Sequence, residues 1–211
     1  MVVGALVTGM CAMGLVLGAG VSAAAQRPCS DLTLYLRGAV PDLDLETSPP
    51  GSAAARFIDS PGVSMSDGNP FRAIGAWDAL SLPAPCTLAA ISALHVWLGL
   101  RSGEDRGAKF DVRAEVLKSG EIIGSGIAFC VGGATTGASE AREIAVQIDL
   151  FEPTLFDGVS GELSLRLSTR IGTGTGGCSG PASATGVRFY HDSARRASRF
   201  GVRLEPPAGS D

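Results

Sequence analysis

Glu162-Leu163-Ser164-Leu165-Arg166-Leu167-Ser168 decides how this chain is read. Leucine fills every second position, and polar residues fill the positions between. In an extended chain successive side chains point to opposite faces, so the three leucines share one face and the polar residues the other. A helix would scatter the same leucines around its axis. The stretch therefore predicts a strand with one buried and one wetted face.

The same period recurs on both sides of it. Leu32, Leu34 and Leu36 alternate with Asp31, Thr33, Tyr35 and Arg37. Phe110, Val112, Ala114 and Val116 alternate with Asp111, Arg113 and Glu115. Ile144, Val146, Ile148 and Leu150 alternate with Glu143, Ala145, Gln147 and Asp149. Half-buried strands of this kind belong to antiparallel sheets. Residues 87–100 are apolar on both faces and predict one long central strand. Lys118-Ser119-Gly120-Glu121 predicts a tight hairpin. Further strands are expected near 53–58, 71–77, 121–130, 186–191 and 200–204, with loops at 41–52, 60–70, 102–107, 132–139 and 172–184. The expected fold is all-β: an antiparallel β-sandwich, jelly-roll-like, of about ten strands. It occupies residues 26–204, with a flexible tail at 205–211.

Residues 1–25 carry no charge and are built from Val, Leu, Ala, Gly and Met, ending Val21-Ser22-Ala23-Ala24-Ala25. An apolar run closed by A-x-A is what a signal peptidase reads, so a signal helix cleaved after Ala25 is expected. If uncleaved, the run is long enough to anchor the chain in a membrane. It opens without Lys or Arg, and five glycines weaken it as a permanent helix.

Composition excludes some functions. Net charge is −4 and pI is near 5.2, which argues against a nucleic-acid partner. Asn69 is the single asparagine and Pro70 follows it, so no N-glycosylation acceptor exists. Behind the export run lie Cys29, Cys86, Cys130 and Cys178, an even number at wide spacing. In an oxidising compartment these predict two disulfides, with three pairings open. The localisation expected is secreted or cell-envelope.

The stretch Phe151-Glu152-Pro153-Thr154-Leu155-Phe156-Asp157-Gly158 running into the alternating strand at 162–167, together with Gly186-Val187-Arg188-Phe189-Tyr190-His191-Asp192-Ser193 and Ser198-Arg199-Phe200, resembles jelly-roll accessory modules of secreted bacterial and archaeal hydrolases and surface proteins. The resemblance spans about residues 87–204. It implies a sandwich fold and carries no ligand residue with it.

Candidate sites are few. Asp42, Asp44 and Glu46 place three carboxylates on one side of an extended chain, a spacing able to hold structural Ca²⁺. The other reading is a solvated edge with Leu43 and Leu45 turned inward. Trp77, beside Asp78 at a strand end, and Tyr190 are the aromatics proposed to meet a ligand such as a sugar ring. His95, next to Trp97, reads as a packed structural histidine. The order His95, Asp149, Ser179 faintly resembles chymotrypsin-like proteases, but Cys178 precedes Ser179 where that family has Asp. His191-Asp192-Ser193 holds triad residue types, yet neighbours in a strand face opposite ways. No catalytic residue is assigned and no cofactor is expected beyond the possible calcium. The expected role is structural, assembly or adhesion. A carbohydrate-binding module is the alternative, and a hydrolase with an unrecognised site comes after it. Expected partners are a surface polymer, a glycan or other protein subunits, with membrane contact only through residues 1–25.

Overall fold

The computed structural model describes residues 29–66, 68–158, 162–174, 178 and 180–208. The expected signal helix and its cleavage site lie outside these residues, as does Ser179. Among the described residues no helix is long and apolar enough to cross a membrane.

The chain is all-β. Its strands are β1 Leu32–Ala39, β2 Asp42–Glu46, β3 Arg56–Asp59, β4 Val63–Ser64, β5 Arg72–Ser81, β6 Cys86–Ile91, β7 Leu94–Leu100, β8 Phe110–Lys118, β9 Glu121–Val131, β10 Arg142–Val146, β11 Asp149–Leu150, β12 Thr154–Phe156, β13 Glu162–Ile171, β14 Ser183–Ala184, β15 Val187–His191 and β16 Arg199–Glu205. Fourteen of them form one mixed sheet in the order β11-β9-β8-β13-β5-β2-β1-β16-β7-β15-β3. β10 also pairs with β7, β6 with β16, and β12 with β6, while β4 and β14 pair apart from the rest. The pairings are antiparallel except for one parallel contact, Asp44 beside Asp78, where β2 meets β5. That seam divides the path into two halves that face each other. Trp77 of β5 meets Phe189 of β15 edge-on, with centroids 5.3 Å apart.

The alternating runs behave as the pleat requires. Leu163, Leu165 and Leu167 are fully buried, as are Leu34, Leu36, Val112, Ala114 and Val116. Each buried Leu or Val contributes roughly 1.5–3 kcal/mol through lost contact with water. The hairpin at 118–121 forms with Ser119 at φ 49° and Gly120 at φ 88°, the paired positive angles that match strand twist.

More strands exist than the ten expected: two long runs are each cut in two, and β2, β4, β12 and β14 form where no strand was expected. The run at 87–100 breaks at Ser92-Ala93 into β6 and β7. Both lie along β16, with Ile91 opposite Val202 and His95 opposite Arg199. At the break the Ser92 hydroxyl oxygen accepts from the Gly201 amide at 2.6 Å. The run at 143–150 changes partner partway: β10 pairs with β7 in one half and β11 with β9 in the other. Gly126 allows that crossing. A Cβ there would fall inside the Gln147 carbonyl. The expected loop at 41–52 contains β2, which pairs with β1 through Leu45 opposite Leu36. Glu205, expected in the tail, belongs to β16 opposite Thr87.

The four cysteines form two disulfides, Cys29–Cys86 and Cys130–Cys178. Their separations of 57 and 48 residues are worth about 4 kcal/mol each in the chain-entropy model. The first ties the segment before β1 to β6, and the second ties β9 to the segment after β13. Two such bonds are typical of proteins from oxidising compartments.

Candidate functional site

Both aromatics expected to meet a ligand are core residues. Trp77 is 0% exposed and Tyr190 3%. The Tyr190 hydroxyl donates to the Thr136 carbonyl at 3.2 Å, and its ring meets Phe57 edge-on. Neither ring offers a face to solvent. Asp78 following it at a strand end predicts an exposed Trp77, but β5 is longer than expected and bulged. Its register against β13 slips between Leu163 and Leu165 and again between Leu167 and Ser168, so Ile74 and Trp77 both turn inward. Gly75 makes room beside the indole, whose nearest atom lies 3.1 Å from where a Cβ would sit.

Asp42, Asp44 and Glu46 do share one side of β2, with Leu43 and Leu45 buried behind them. They do not converge. Glu46 accepts from Arg37 at 3.2 Å and from Ser48 at 2.9 Å. Among the described residues, one group of three His, Cys, Asp or Glu has its ligand atoms within 4.8 Å of one another: Asp111, Cys130 and Cys178. Both of those sulfurs are committed to a disulfide. Asp111 serves as an anchor. Wholly buried, it accepts from Cys130 N at 3.1 Å, Arg170 Nε at 3.0 Å, Thr173 N at 3.2 Å and Thr173 Oγ1 at 2.7 Å.

His95, expected to be a packed structural histidine, is part-exposed. Its side chain is 42% exposed and faces Glu143 at 3.3 Å. His191 is the buried one, 0% exposed. Its ring stacks on Phe189 at 5.3 Å and meets Trp77 edge-on at 5.9 Å. Nε2 lies 3.2 Å from the Gly38 carbonyl, and Nδ1, also buried, makes no hydrogen bond. Burial in this apolar setting pushes its pKa below the ordinary histidine value, against the opposing pull of the Gly38 carbonyl and the Asp192 carboxylate. The ring is therefore neutral at pH 7. A proton on Nε2 satisfies Gly38 and leaves Nδ1 as an acceptor.

His191 lines a cleft that gathers residues from distant segments. The cleft holds about 480 Å³ between the β1–β2 turn and the start of β3, with Ala39, Val40, Ala55, Arg56, Phe57 and His191 around it. Val40 is 67% exposed and Phe57 53%. Arg37 and Arg56 both turn to Asp192. Asp192 is nearly buried while the Arg56 side chain is 54% exposed, so the pairing hides the anion and leaves a guanidinium outside. On the far side of Phe57, Arg188 stacks on the ring at 4.1 Å and forks onto Asp59 at 2.7 and 2.8 Å. That carboxylate raises the Arg188 pKa further still.

β3 ends the sheet path, paired with β15 on one side. Among the described residues no strand pairs with its other side. In an antiparallel pair alternate residues turn their N–H and C=O outward, so this edge presents open backbone groups beside the cleft. Sequence inspection did not find this site. Its parts come from residues 39–40, 55–57 and 191, and only folding brings them together.

No known protein family matches the sequence, and no curated protein matches it. Two of the solved structures similar to this chain are as follows. One is an aminopeptidase from a marine-sediment Thaumarchaeota archaeon: 8% identity, TM-score 0.47, covering 83% of this chain and 37% of that one. The other is a CocE/NonD family hydrolase from Staphylococcus aureus: 13% identity, TM-score 0.46, covering 85% of this chain and 37% of that one. The chain thus spans little more than a third of either structure.

Proposed function

We propose that this chain is a secreted or envelope-associated, non-catalytic β-sandwich of the jelly-roll kind, which docks an extended segment of another polypeptide along β3. The observation that carries the reading is the open edge of β3, flanked by exposed Phe57 and Val40. Exposed edges recruit other strands and are blunted by short length, charged residues, proline or a covering element. β3 is short and carries Arg56 and Asp59, but it holds no proline and no strand among the described residues covers its outer side. Strand addition draws affinity from main-chain hydrogen bonds and specificity from neighbouring pockets, and the cleft lies at the start of this strand. The two disulfides support the location. The carbohydrate-binding alternative loses the two aromatics it relied on.

The test uses a capped, fluorescent octapeptide alternating Val with Gln, read by anisotropy against the purified chain and its Phe57→Lys variant. The side chain of Phe57 is exposed, so the variant keeps its fold, checked by an unchanged melting curve. Saturable binding weakened about tenfold or more by the lysine supports docking at β3. No binding, or binding indifferent to the lysine, overturns it.

A further inference from the structure

The cleft beside β3 has a chemistry of its own, and it narrows what the docked strand is. We infer that the segment added to β3 is acidic and apolar by turns, with a carboxylate meeting Arg56 and an apolar side chain seated in the cleft against Ala39, Val40, Ala55 and Phe57. This rests on the docking reading above and adds to it a partner of defined charge.

Two observations converge. First, the ion pairs at this end are asymmetric in depth. Asp192, side chain 8% exposed, answers both Arg37 and Arg56, whose side chains are 22% and 54% exposed. Arg37 has a second partner in Glu46, which leaves Arg56 as the cation turned most fully to solvent at the cleft. An incoming carboxylate would find a guanidinium whose Nε is engaged at 3.3 Å and whose planar fork suits carboxylate. Second, the walls are apolar. Two alanines, a valine and a phenylalanine line the cleft, and Phe57 and Val40 expose their side chains there. Covering them removes apolar surface from water.

The experiment compares three capped octapeptides that alternate Val with Glu, Gln or Lys, at about 0.15 M salt to suppress long-range attraction. The wild-type chain is expected to bind the Glu peptide about tenfold tighter than the Gln peptide, and the Lys peptide most weakly. Arg56→Gln is expected to erase the Glu preference, so that the Glu and Gln peptides bind alike. Val40→Lys, filling the mouth of the cleft, is expected to weaken all three. If the three peptides bind alike, or if Arg56→Gln leaves the preference intact, the acidic specificity is wrong and docking at β3 stands. If none binds, both readings fall.

Discussion

Replacing Trp77 separates a core residue from a ligand platform. The indole is 0% exposed and packs edge-on against Phe189 and His191. A buried tryptophan removes roughly 150–250 Å² from water, and truncation to alanine in a core costs about 3–5 kcal/mol. One feature of the wild type reduces that figure. The indole Nε1 is buried and has no hydrogen-bond partner, and an unmet buried donor costs roughly 1–3 kcal/mol. Trp77→Ala removes that liability along with the packing, so about 3 kcal/mol, near the lower end, is expected. Trp77→Phe keeps a ring against Phe189 and also removes the unmet N–H. Its loss of about 1 kcal/mol of area is offset by a similar gain, for a net change near zero. Urea denaturation followed by far-ultraviolet circular dichroism, with the disulfides intact, measures both. Trp77→Ala costing under about 1 kcal/mol would place the indole outside the core. Trp77→Phe costing as much as the alanine variant would show that the N–H is satisfied and the offset unfounded.

Three further outcomes follow from the geometry. Gly126→Ala should destabilise by roughly 3 kcal/mol or more, since the new methyl meets the Gln147 carbonyl where the chain crosses between halves; a melting temperature within a degree or so of wild type would contradict the crossing. Asp111→Asn should cost about 3 kcal/mol in urea, because four donors converge on that carboxylate and Arg170 loses its counter-charge; a neutral result would show that the network is dispensable. His191 titrates lower folded than unfolded because it is buried. As pH falls through about 6.5 the unfolded chain takes up a proton that the folded chain refuses, so stability is full above that value and declines below it. Between pH 7.5 and 5.5 the wild type should therefore lose more stability than His191→Phe, and equal slopes in urea midpoints would refute the assignment.

Much of the fold was legible because alternation reports directly on burial. Leu163, Leu165 and Leu167, or Val112, Ala114 and Val116, need only the pleat to declare their face, and the hairpin at Ser119-Gly120 needs only its turn chemistry. What failed depended on a partner distant in sequence. The cut at Ser92 exists because Gly201 lies opposite it. The inward turn of Trp77 follows from bulges whose other strand is β13. Asp78 beside it suggested exposure, although a polar neighbour in a strand equally marks the opposite face. The pairing of four cysteines is a matter of fold and was left open by their spacing. The candidate site was the least legible part. Val40, Arg56 and His191 have no pattern joining them. The signal within reach was modest: an exposed-looking Arg-Phe pair at 56–57 opening a short strand, with a cationic partner in Arg188.

The most direct test of docking at β3 is residue-resolved amide hydrogen exchange, with and without the Val/Glu octapeptide. The outward-facing amides among Arg56, Phe57, Ile58 and Asp59 should exchange freely in the unbound chain and slow by about tenfold or more at saturating peptide, while the amides paired with β15 change little. Binding that leaves every β3 amide exchanging at its free rate, with protection appearing elsewhere, would contradict the account.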